Sequence, residues 1–169
     1  MLFRNFKRSR QYAKSVLLSI AIPFLATQVL AYKQKDLDKL QATNKCIGCD
    51  LSGADLSGAN LSDANLHFAN LQGTNLKGAN LNWADLREAD LRKADLNWAR
   101  MNNADLRRTD LYGANLEEAF LQYSDMREAN LREVDLEAAD LYRAELSRAN
   151  LEGARLGGCL LYTSDAADE

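Results

Sequence analysis

Residues 54–66 read ADLSGANLSDANL, and the five-residue grammar of that stretch runs on through most of the chain. Stepping by five from Leu51 to Leu156 visits twenty-two positions, of which twenty are Leu and two are Met101 and Met126. Two residues before each of these centres from Leu56 on stands Ala at seventeen of twenty-one positions, with Thr74, Thr109, Ser124 and Val134 at the rest. Asp or Asn fills almost every position between the two. A fixed period of this kind makes the chain a repeat array before any other fold is considered.

A period of five excludes the simple regular structures. On an α-helix a five-residue step advances ~500°, so successive leucines would spiral round the axis and form no apolar face. On a flat strand five is odd, and alternate leucines would point to opposite faces. Only a chain that turns once per repeat returns every Leu and every Ala to one inward side. Glycine two residues after the centre, as at Gly53, Gly58, Gly73, Gly78, Gly113 and Gly153, suits the corners of such a path.

This A-[D/N]-L-x-x pattern, carried over about 110 residues, resembles the pentapeptide-repeat family, in the exported style of cyanobacteria. The resemblance implies an all-β fold, a right-handed quadrilateral β-helix with four repeats per coil, Leu and Ala stacked inside and the other three positions facing out. Twenty-two repeats then make about five and a half coils, a rod of roughly 26 Å at ~4.8 Å per coil.

Outside the repeats the chain divides further. Arg4, Lys7, Arg8, Arg10 and Lys14 precede an apolar run over 15–30, SVLLSIAIPFLATQVL, that ends in small residues. That order is the order of a secretory signal, with a cut after Ala31. An uncleaved anchor is the alternative, although an apolar run interrupted by Pro23 is short for a bilayer span of ~20 residues. The chain thus reads as a signal peptide over 1–31, a capping segment over 32–45, the solenoid over 46–158 and a tail over 159–169. Leu37 and Leu40 within DLDKLQAT, 36–43, predict a short helix lying over the first coil. The tail, CLLYTSDAADE, resembles residue for residue the translation of a transposon-end adapter used in DNA sequencing libraries, and is expected to be foreign to the fold.

Cys46 takes a centre position and Cys49 the small inward position before Leu51, so both belong to the first turn. In an oxidising compartment they are compatible with a disulfide. Unpaired buried thiols and a metal or redox site are the alternatives, the metal disfavoured because structural zinc wants four Cys or His ligands and the chain has a single histidine, His67.

No catalytic set is legible, and no cofactor or metal is implied. No nucleophile with a His and acid partner and no glycine-rich phosphate loop is present, and the carboxylates are spread along the rod. The expected role is therefore a non-catalytic exported scaffold for protein–protein interaction, in a periplasm or thylakoid lumen. It contacts no nucleic acid and, after signal cleavage, no membrane, and end-to-end self-association is expected at an open coil end. The family includes DNA mimics that bind DNA gyrase, which is the alternative role. Residues 49–158 carry nineteen acids against twelve bases, but eleven of the acids sit in the regular Asp/Asn slot and the remaining surface is mixed. Sorted by position in the coil, Arg87, Arg107 and Arg127 lie beside Glu88, Arg108 and Glu128, which reads as a solvated ion-pair lattice. The neighbouring face departs from the repeat: Arg100 and Phe120 take the Asp/Asn slot, and Trp83, Asn102, Asn103, Gln122, Tyr123 and Tyr142 stand outward. Such a cluster is the candidate interaction face.

Overall fold

The structure, a computed structural model, describes residues 24–160. A boundary between Tyr32 and Lys33 divides the chain into two compact units. Helix α1 spans Phe24–Thr43, and beyond it the chain is a ladder of single parallel bridges. Each bridge pairs a slot residue with the one twenty positions on, from Lys45 with Asn65 to Asp140 with Leu160. Twenty residues are four pentapeptides, so each repeat stacks on its equivalent one circuit later.

One repeat shows why the sequence takes this form. Within Asn70 to Thr74, Asn70 donates its N–H to Cys49 of the preceding circuit at 2.8 Å, while Leu71 and Gly73 donate to Asp90 and Arg92 of the following one at 2.7 and 2.9 Å. Thr74 closes a turn onto the Leu71 carbonyl at 3.1 Å. The remaining N–H, that of Gln72, has no backbone acceptor and is taken by the Asn70 side chain, Oδ1 at 3.2 Å. All five amides are thereby satisfied, where an orphaned one would cost about 1–3 kcal/mol. The slot favours Asp and Asn because their short side chains place an oxygen on the amide two residues ahead, a contact that Glu145 also makes, to Ser147, at 3.2 Å. The turn's third residue has φ near +60°, 62° at Gly73, which glycine adopts without the steric cost that an L side chain meets.

Inward positions form one continuous core. Leu66 through Leu136 and their Ala partners are sealed from solvent, and Met101, Met126 and Val134 fill the same places. Each buried leucine contributes about 1.5–3 kcal/mol relative to exposure. The polar fillers are satisfied: Thr74 and Thr109 donate to the carbonyls of Leu51 and Leu86 at 3.0 Å, and Ser124 to that of Leu121 at 2.7 Å.

The two ends of the ladder differ. At the first coil, the last turns of α1 cover the core with Leu37 and the buried Leu40. Asn44 ends the helix at φ 55°, donates its N–H to Leu40 at 2.8 Å and ties its amide to the Ser62 carbonyl at 2.7 Å. Asp36 of α1 accepts the Asp50 N–H at 2.9 Å, a role that a preceding circuit plays elsewhere. The expected capping helix over 36–43 is thus the end of a longer helix that begins at Phe24 and runs across the expected cleavage site after Ala31. Residues 1–23 of the expected signal lie outside the described residues. Among the described residues no helix is long and apolar enough to cross a membrane.

At the far end the ladder passes the expected boundary at 158. Cys159 packs against the core and Leu160 bridges Asp140, because Cys and Leu fall on the inward and slot positions of the register. The rest of the expected tail, 161–169, lies outside the described residues. Leu146 and Leu151 are half-buried and Leu156 and Leu160 are exposed, so the last described circuit is open.

Candidate interaction face

The departures at Arg100 and Phe120 raise an immediate difficulty, since neither side chain supplies the slot oxygen. The amides two residues ahead are satisfied from another source. Asn102 donates its N–H to Asn82 Oδ1 and Gln122 donates to Asn102 Oδ1, each at 2.9 Å and each from one circuit to the next. Gln122 in turn gives its side-chain amide to Asp140 Oδ2 at 2.6 Å. The side-chain oxygens of Asn82 and Asn102 therefore replace the two slot oxygens that this face lacks, and Gln122 continues the file as a donor to the next slot acid. Asn102 and Gln122, expected as partner contacts, are committed to the scaffold.

Freed of that duty, the slot presents an exposed Arg100 and, bridged to it one circuit on, Phe120 at 44% exposure. At the corner where the chain leaves this face stand Trp83, Asn103, Tyr123 and Arg143, all at φ between 54° and 62°. Trp83 and Tyr123 are 63% and 47% exposed. Bulky aromatics in a left-handed corner carry a steric cost that glycine avoids, and these gain no burial in return. Tyr123 meets the half-buried Tyr142 edge-on with ring centres 5.6 Å apart, and the Arg143 guanidinium lies 5.5 Å from the Tyr142 ring. All eight expected residues fall on four successive levels of this face.

The structure adds a residue to this face. Trp98, 51% exposed with the Lys77 ammonium 5.4 Å from its ring, occupies the corner where the chain enters, two residues before Arg100. Grouping each slot only with the centre that follows it assigns Trp98 to another face. Grouping it with the corner that precedes it as well would have found Trp98.

The neighbouring face is a lattice of ion pairs with partners other than those expected. Arg87 grips Asp85 through Nε to Oδ1 at 2.8 Å and Nη2 to Oδ2 at 2.7 Å, and Arg127 holds Asp125 at the same distances. The guanidinium hydrogen bonds hold the Asp85 and Asp125 carboxyls below the usual carboxylate range. Glu88 faces His67 at 3.9 Å instead, and only Glu128 is paired as expected, with Arg108 at 3.0 Å. A shallow groove lies between these side chains.

At the capped end, a disulfide joins Cys46 to Cys49 with Cα atoms 5.2 Å apart, and Lys39 of α1 brings its ammonium to 3.8 Å from Cys49 Sγ. A disulfide sulfur carries no proton, so the 3.3 Å approach of Cys46 Sγ to the Asp36 carbonyl is a packing contact. Among the described residues, no group of three or more His, Cys, Asp or Glu is placed to hold a metal ion.

Comparison with known proteins places this geometry. The family model for pentapeptide repeats matches overlapping segments from residue 45 to residue 161. No curated protein matches the sequence. Among solved structures, the chain is similar to the pentapeptide repeat protein Rfr23 from the cyanobacterium Cyanothece 51142, at 27% identity and a TM-score of 0.70 over 72% of this chain and 97% of that one. It is similar to alr5209 from Nostoc Pcc 7120, at 27% identity and a TM-score of 0.51 over 72% and 93%. It is also similar to QnrB1, a plasmid-mediated fluoroquinolone resistance protein, at 26% identity and a TM-score of 0.56 over 68% of this chain and 61% of that one. With a five-residue register, a twenty-residue ladder and a family match over most of its length, the chain belongs to the pentapeptide-repeat family, whose fold is a right-handed β-helix.

Proposed function

We propose that this chain is a non-catalytic, exported repeat scaffold that binds a protein partner through the face bearing Trp83, Arg100, Phe120 and Tyr123. The observation that carries the reading is the paired departure on that face. Arg100 and Phe120 occupy the Asp/Asn slot, and the side chains of Asn82 and Asn102 supply the missing acceptors for the backbone N–H groups. Drift in one slot does not bring a matching acceptor from the neighbouring circuit, whereas a face maintained for contact needs one. Pentapeptide-repeat proteins are in general structural or interaction proteins, which agrees with this role.

Export is supported by the basic, apolar, small-residue order of 1–31 and by the Cys46–Cys49 bond, which persists in an oxidising compartment such as a periplasm or thylakoid lumen. The exposed Leu156 and Leu160 support end-to-end association of the open last circuit. The alternative, a gyrase-binding DNA mimic, has less support. A mimic presents uncompensated carboxylates, and here the file Asp85, Asp105, Asp125 is gripped by Arg87, Arg107 and Arg127.

A photo-crosslinking residue placed at Tyr123 or, on another corner, at Lys93 tests the reading in source cells. An adduct of one mass from position 123 alone is expected. Equal labelling from both positions would remove the face from consideration.

A further inference from the structure

We infer that the Trp83–Arg100–Phe120 face takes an acidic, apolar-flanked peptide segment of its partner, with a carboxylate seated on Arg100. The inference rests on the protein-binding role proposed above and names the chemistry that the face selects.

The arginines of the ladder fall into two groups. Arg87, Arg92, Arg107, Arg108, Arg127, Arg132 and Arg155 are all in ion pairs with Asp or Glu. Arg100, Arg143 and Arg148 make no ion pair and no side-chain hydrogen bond among the described residues; Arg148 follows Glu128 in the charged file, Arg143 lies against Tyr123 and Tyr142, and Arg100 stands exposed in the Asp/Asn slot. Its surroundings are aromatic. Trp98 lies two residues before it and Phe120 is bridged to it in the next circuit, both about half exposed, while Trp83 and Tyr123 hold the far corner. A guanidinium left unpaired among apolar rings offers a planar fork that matches a carboxylate, and the rings bury the apolar neighbours of that carboxylate and strengthen the pair by excluding water.

The acids near this face set the limit on the ligand's charge. Asp140 accepts from Gln122, and Glu117 is taken by Asn97. Glu118, which follows Trp98 one circuit on, makes no side-chain hydrogen bond among the described residues. These carboxylates repel a polyanion laid across three circuits, so a nucleic acid is disfavoured and a segment with one or two well-placed acids is favoured.

The test is selection from a random-peptide display library on the immobilised full chain, followed by fluorescence anisotropy of the enriched peptide with variants of unchanged melting temperature. Enrichment of acidic peptides with aromatic or aliphatic neighbours is expected. Arg100→Glu should weaken their binding about tenfold or more, Glu118→Gln should tighten it a few-fold, and Lys93→Glu on another corner should leave it unchanged. Three outcomes overturn the inference: no enrichment over bare support, enrichment of neutral or basic peptides, or displacement by a single-stranded oligothymidylate that binds at Arg100. Peptides that ignore Arg100→Glu but are lost with Trp83→Ala would end the acidic assignment and leave the protein-binding role standing. Peptides indifferent to both variants would end both.

Discussion

Arg107 grips Asp105 through two hydrogen bonds, Nε to Oδ1 at 2.8 Å and Nη2 to Oδ2 at 2.6 Å, and reaches the carboxylate of Asp125, one circuit on, at 3.5 Å. The same device recurs wherever two acids meet in the slot ladder: Arg87 serves Asp85 and Asp105, Arg92 serves Asp90 and Asp110, and Arg127 holds Asp125 against Glu145. Where Asn stacks on Asp the amide donates instead, as from Asn70 to Asp50 and Asn130 to Asp110. The ladder tolerates acid on acid only with an arginine two residues after the first. Arg107→Ala is therefore expected to lower the melting temperature by a few degrees at low salt, and less at high salt, while Lys93→Ala leaves it unchanged. Equal melting temperatures for the two variants would show that the arginine ladder is idle.

Acid should loosen the same faces. The arginine hydrogen bonds hold the carboxyls of Asp85, Asp90 and Asp125 below their ordinary range in the folded state. A group whose folded pKa is depressed stabilises the fold fully above its unfolded pKa, ~4, and loses that contribution as pH falls through the lower folded value. Thermal stability should hold from neutral pH to about 5 and decline below about 4. A triple variant, Arg87→Ala, Arg92→Ala and Arg127→Ala, has already lost these pairs and should decline less steeply over the same range. Parallel pH profiles would contradict the assignment.

The amide file on the candidate face makes a rescue experiment possible. Asn102→Ala removes the acceptor of the Gln122 N–H and should cost about 1–3 kcal/mol in denaturant unfolding. Phe120→Asn restores a slot oxygen to that same N–H, so the double variant should recover most of the loss. Additive losses in the double variant would mean that Asn102 acts in some other way.

Protein exported to a periplasm should have an intact mass lacking residues 1–31, with Cys46 and Cys49 linked and Cys159 open to alkylation. Retention of the full mass would refute cleavage. Alkylation of all three thiols without reductant would refute the bond.

Much of the candidate face was legible in the residues alone because a strict period exposes its own exceptions: Arg100 and Phe120 stand out where Asp or Asn is the rule. What they do there was not legible. Asn102 and Gln122 look like contact residues until their oxygens and amides are traced to neighbours twenty positions away. Trp98 was hidden because a corner borders two faces, and which side chains share one surface depends on how the circuit folds rather than on their order in a repeat.

The sequence by itself determined the circuit. A centre Leu and a small residue every five positions can reach one core only on a path that turns once per repeat, and that requirement is local. Only the tertiary structure decided which charges neutralise each other and which amides replace the missing slot oxygens. Those partners are twenty residues apart, and they meet because parallel bridges stack one circuit on the next in a register that no single repeat contains. The tertiary structure also separated seven committed arginines from Arg100, Arg143 and Arg148, because a guanidinium's availability depends on whether a carboxylate lies within reach in its own or the neighbouring circuit.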